Sequence, residues 1–234
     1  MVEVMLNAVE SEILIADWQG PYSWPGFETD NNFPSLPKIC GVYIQAFEYN
    51  FGGYIIYCAG HATNIRNRFA QHERKRRLGD QIDIFDVEKI KAGVRYLVWN
   101  GYSDWWKTNA KAAALAERQR AIGYSFDWGN EITCYQTKKA VAFAERCRMV
   151  SMASIAQCRE MRIFIAEFGP GDRLRKRLEA GVMDALYAAP APFCDLPDKG
   201  MALSRMDTNG GETTVVVENR CSALLHALPM RFAI

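Results

Sequence analysis

Four side chains in one short stretch could act on a charged substrate. Tyr43 stands in Gly41-Val42-Tyr43, and Tyr57 opens Tyr57-Cys58-Ala59-Gly60. Arg68 follows Gly60 by eight residues, and His72 lies four further on. Phenol and imidazole groups exchange protons, while a guanidinium offers fixed, paired donors to an oxyanion. Together they suit proton transfer beside a developing negative charge. Taken singly they are common: aromatics favour half-buried strands, and a lone histidine is more often structural or solvated than catalytic. Their order and spacing carry the signal.

The elements that must position these groups are legible around them. From Ile39 to Phe47 apolar and β-branched residues dominate, Tyr49 to Gly53 breaks the run, and Tyr54 to Tyr57 resumes it, which predicts a β-hairpin. Gly52 and Gly53 supply the positive φ angles its turn needs. Beyond Gly60, Ile65, Phe69 and His72 recur at helical spacing, with Thr63 or Asn64 as N-cap. Arg68 and His72 then share one helical face.

Elsewhere, residues 19–37 hold four prolines and two glycines, a composition that argues against a long helix or a central strand. Residues 1–37 are therefore read as an N-terminal arm. GVRYLVW from Gly93 reads as a strand and KTNAKAAALAERQRAI as a strong helix former. A long helix is expected over Thr137 to Gln157, then a strand, MRIFIAEF. A tight Gly169 to Gly171 connection leads to an amphipathic helix with Asp172 as N-cap and Pro190 as terminator. The tail carries a turn at Asn209 to Gly211 and a strand, TTVVVE.

The ordered set Gly41-Val42-Tyr43, Tyr57-Cys58-Ala59-Gly60, Arg68 and His72 resembles the GIY-YIG nuclease superfamily, with GVY for GIY and a second motif in which Cys58 takes the usual tyrosine place. The resemblance implies an α+β fold: a small antiparallel sheet flanked by helices, within residues 38–200. A helical insertion falls at about 103–160, and residues 201–234 form an extension packed on the domain. It further implies a metal-dependent endonuclease that hydrolyses DNA phosphodiesters. Tyr43 would be base or water-orienting group, with Tyr57 supporting it, Arg68 stabilising the transition state, and His72 assisting proton transfer or touching phosphate. One glutamate on a helix after the third strand would hold Mg²⁺ or Mn²⁺. Glu117 and Glu179 both qualify, and Glu179 is favoured because Arg173, Lys176 and Arg177 surround it. A single carboxylate suits Mg²⁺, which keeps its waters and borrows phosphate oxygens. Glu179 could equally be an ordinary helix ion-pair residue.

Partner and compartment follow from charge and cysteine usage. The 234 residues carry 28 basic and 27 acidic side chains, so nucleic-acid affinity must come from local clustering. Arg66, Arg68, Arg74, Lys75, Arg76 and Arg77 form such a cluster against one acid, Glu73, and His61 stands where it could touch phosphate. A charge run of this kind is more often a solvated face. Seven cysteines without a CxxC pair point to a reducing, cytoplasmic compartment, and no apolar run approaches the ~20 residues of a membrane span. Two-strand cutting would require two active sites, through a homodimer or sequential nicking, as in a compact enzyme of the restriction type. The competing reading is a noncatalytic module that binds nucleic acid or another partner on the same scaffold.

Overall fold

The computed structural model describes residues 12–77, 83–99, 134–169, 171–209 and 212–234. The chain is α+β. Its main sheet has seven strands in the order β8-β3-β2-β6-β1-β7-β9. These are β1 (Glu12–Ser23), β2 (Gly41–Glu48), β3 (Tyr54–Ala62), β6 (Met161–Glu167), β7 (Val215–Cys221), β8 (Leu225–His226) and β9 (Arg231–Ala233). A separate pair joins β4 (Ile84–Phe85) to β5 (Leu97–Trp99). The described helices are α1 (Glu28–Asn31), α2 (Ile65–Arg77), α3 (Val87–Lys91), α4 (Cys134–Glu160) and α5 (Asp172–Tyr187). None is long and apolar enough to cross a membrane.

The predicted hairpin forms as β2 and β3. Its turn uses Gly52 and Gly53 at φ of 96° and 70°, with the Tyr49 amide donating to the Gly53 carbonyl at 2.9 Å. Asn64 caps α2, its Oδ1 accepting from the Asn67 amide at 3.0 Å. The amphipathic helix expected after Gly171 begins at Asp172, but the N-cap position belongs to Gly171, which has no side chain to cap it.

Alternation along β2 sends Val42, Ile44 and Ala46 to one face and Tyr43 and Phe47 to the other. The first face packs against Leu178, Val182, Met183 and Leu186, the apolar stripe of α5. The second packs against Ile65 and Phe69 of α2, together with Trp24 and Phe85. Each such buried side chain contributes roughly 1.5–3 kcal/mol. With a helix on either side, β2 is buried almost throughout, and its register is fixed by both cores.

Two expectations about sheet size are corrected. The N-terminal arm contributes β1, which lies inside the sheet between β6 and β7. Pairing with β6 is irregular between Gln19 and Tyr22, so the chain absorbs Pro21, which cannot donate to a ladder, in a bulge. The C-terminal extension supplies β7, β8 and β9, so it completes the sheet rather than resting on it. The sheet is consequently mixed, because β1 runs parallel to β7 and β3 parallel to β8.

Candidate functional site

The site is organised around Tyr43. Cross-strand register sets this residue opposite Gly60, and the phenol ring lies over that glycine. A Cβ at Gly60 would fall 2.3 Å from Tyr43 Cζ and the same distance from its hydroxyl oxygen. Phe69 holds the ring from α2 with centroids 4.9 Å apart, so the ring has no room to yield. Gly60→Ala is therefore expected to destabilise the fold by about 1–3 kcal/mol through overpacking. A urea midpoint equal to that of the parent protein would contradict this contact.

The Tyr43 hydroxyl sits 3.2 Å from His72 Nε2. Burial pushes its pKa well above the usual phenol value, the Cys58 thiol adds to the rise, and the neighbouring Arg68 charge only partly opposes it. The Glu179 charge raises it further, as the smallest of these effects. Tyr43 is thus a neutral phenol at physiological pH. Arg68 extends into solvent from α2, one turn before His72.

Glu179 comes from the opposite face of the sheet. It is 7% exposed, and its Oε2 is 2.8 Å from His61 Nδ1 and accepts from Arg205 Nη1 at 2.9 Å. His61 follows Gly60 on β3, and its Nε2 is also 3.7 Å from Asp172 at the start of α5. Glu179 Oε1 makes no hydrogen bond among the described residues. Gly60 joins the two halves. Its backbone carries Tyr43 on one side, and the next residue points to Glu179 on the other.

Tyr57 lies apart from this group. Gln45 pairs with Cys58 and Ala46 with Ile56, so Tyr57 is the extra residue of a β-bulge. Its ring enters the apolar core, with centroids 5.2 Å from Phe85 and 6.5 Å from Phe47. Burial drives its pKa up strongly, with Cys58 and then Asp198 and Asp83 adding to the rise and Arg76 opposing it. Cys58, next to Tyr57 on β3, raises the pKa of both phenols. Its own thiol is pushed well up by desolvation, which keeps it protonated and a poor nucleophile.

The expected basic face divides. Arg66 and Arg68 are exposed. Arg76 instead turns inward at 5% exposure and stacks over Trp24, with its Cζ 5.0 Å from the ring centroid. Its charge faces Tyr57 and Cys58 rather than solvent, which removes it from a surface phosphate track. The side chains of Arg74, Lys75 and Arg77, and the whole of Glu117, lie outside the described residues. Among the described residues no group of three or more His, Cys, Asp or Glu side chains is arranged to hold a metal ion. Arg205 was not foreseeable from spacing. It lies in the short 3-10 helix Leu203–Met206 and reaches Glu179 only through the tertiary fold.

Comparison of the chain with protein families, with curated proteins and with solved structures finds no match.

Proposed function

We propose that the protein is a metal-dependent endonuclease hydrolysing DNA phosphodiesters, in line with the GIY-YIG nucleases that its tyrosine hairpin resembles. The observation that carries this reading is that one phenol gathers groups distant in sequence. Tyr43 meets His72 at 3.2 Å, and His61, the residue after the Gly60 that lies under the Tyr43 ring, reaches Glu179 at 2.8 Å.

The raised pKa of Tyr43 bears on its role. A phenol held neutral cannot wait as a phenolate base, but it can relay a proton. Tyr43 takes the proton of the attacking water as its own passes to His72 Nε2, so no free phenolate forms; the water oxygen bonds to phosphorus as the bond to the leaving ester oxygen breaks, and that oxygen takes a proton from solvent. Arg68, exposed beside it, meets the charge that accumulates on the phosphate oxygens. Tyr57 supports the arrangement by filling the core beneath the hairpin.

The residues fit a divalent cation of the Mg²⁺ type in one respect: Glu179 keeps Oε1 unengaged among the described residues. A hard ion held by one carboxylate takes its remaining ligands from water and phosphate, so a three-residue cluster is not required. When bound there, it would supply positive charge to the phosphate oxygens. The fold orients Glu179 for this through His61.

A supercoiled-plasmid assay tests the reading. Nicking with Mg²⁺ or Mn²⁺ that stops on chelation is the expected result. DNA binding without nicking, indifferent to metal, would instead identify a noncatalytic binding module, and nicking of RNA but not DNA would correct the substrate.

A further inference from the structure

The C-terminal extension places the Arg205 guanidinium at the Glu179 carboxylate, in a segment anchored by Arg173. Arg173 of α5 donates to the carbonyl of Arg205 at 2.7 Å and also to that of Asp207. It is held in turn by Glu212 at 3.1 Å. This ties the 3-10 helix Leu203–Met206 to α5, with Arg205 leaning over Glu179.

The Arg205 guanidinium is itself asymmetric in its environment. Nη1 is fixed by Glu179 at 2.9 Å, while Nε and Nη2 make no hydrogen bond among the described residues. The side chain is 42% exposed, and the carboxylate that aims it is 9% exposed. A guanidinium held at one nitrogen by a buried carboxylate keeps its other donors pre-oriented toward solvent, the arrangement that binds a phosphate oxygen at little entropic cost.

We propose that Arg205 is a phosphate-binding residue that acts with Arg68, so that the 3-10 helix Leu203–Met206 forms part of the substrate site. The assignment rests on the nuclease reading and deepens it. Arg68 approaches from α2 and Arg205 from beyond α5, so a backbone phosphate would be held by cations from two separate elements.

Binding of a short DNA duplex in EDTA, followed by fluorescence anisotropy over a range of KCl concentrations, tests this without requiring cleavage. The full chain and its Arg205→Ala, Arg205→Gln and Arg205→Lys variants are compared. Loss of one phosphate contact should lower the slope of log K against log salt by about 0.9. Arg205→Ala and Arg205→Gln should show that loss and bind about tenfold more weakly. Arg205→Lys should keep the parent slope. A purely structural role would weaken binding without changing the slope. Steep salt dependence in the parent protein, unchanged in all three variants, would overturn the assignment and leave the nuclease reading intact. A parent protein that does not bind the duplex would overturn both.

Discussion

Arg68→Ala is expected to slow plasmid nicking by about 10²–10³-fold, the usual cost of removing one transition-state donor. The fold should survive, because Arg68 is exposed on α2. A surface change of this kind typically alters stability by no more than about 0.5 kcal/mol. The loss should lie in kcat more than in KM, since the guanidinium is assigned to charge that develops during reaction. Arg68→Lys should recover little, because an ammonium cannot reproduce the paired donors. Nicking at the parent rate by a folded Arg68→Ala variant would remove Arg68 from the mechanism.

Glu179→Gln is the second large effect, expected at about 10³-fold or more in nicking, since loss of the anchoring charge removes a contribution of several kcal/mol to the transition state. It should also have a modest effect on stability. The carboxylate accepts from Arg205 at 2.9 Å and sits 2.8 Å from His61, and an amide keeps one acceptor oxygen but no charge. Both partners retain contact with solvent, so the expected destabilisation is about 1 kcal/mol rather than the larger cost of breaking a fully buried pair. Thermal melting of the parent and variant proteins checks this part. Raising Mg²⁺ should not restore the variant to the parent rate. Parent-level cleavage by Glu179→Gln would transfer the anchoring role to another carboxylate.

How much of this was legible in the sequence depends on whether the signal was local. The hairpin, its Gly52-Gly53 turn, the Asn64 cap and the helix beginning at Asp172 depend on neighbouring residues, and they form close to where the pattern puts them. Long-range pairing leaves no such mark. Pro21 spoke against a central strand, yet β1 lies within the sheet because a bulge accommodates the proline. The three C-terminal strands read as an appendage because nothing in TTVVVE indicates that its partner is β1.

The site shows the same division. Tyr43 and His72 are linked by short spacing and meet through α2, with Arg68 exposed one turn before His72. Tyr57 has a suitable position in sequence, but a single extra residue in β3 carries its ring toward Phe85. Arg76 belongs to an apparently uniform basic run, and only the position of Trp24 shows that it faces inward. The pairing of Glu179 with His61 spans 118 residues, and its contact with Arg205 depends on a loop pinned by Arg173. Such contacts arise from packing and have no spacing signature.

A crystal structure of the protein with a short duplex and Ca²⁺, used to bind without supporting turnover, would test the convergence of these groups most directly. The account predicts one backbone phosphate in hydrogen-bond contact with Arg68, a water on the Tyr43 hydroxyl, and the ion on Glu179. Density placing the duplex on another surface, with Arg68 and Glu179 distant from any phosphate, would contradict it.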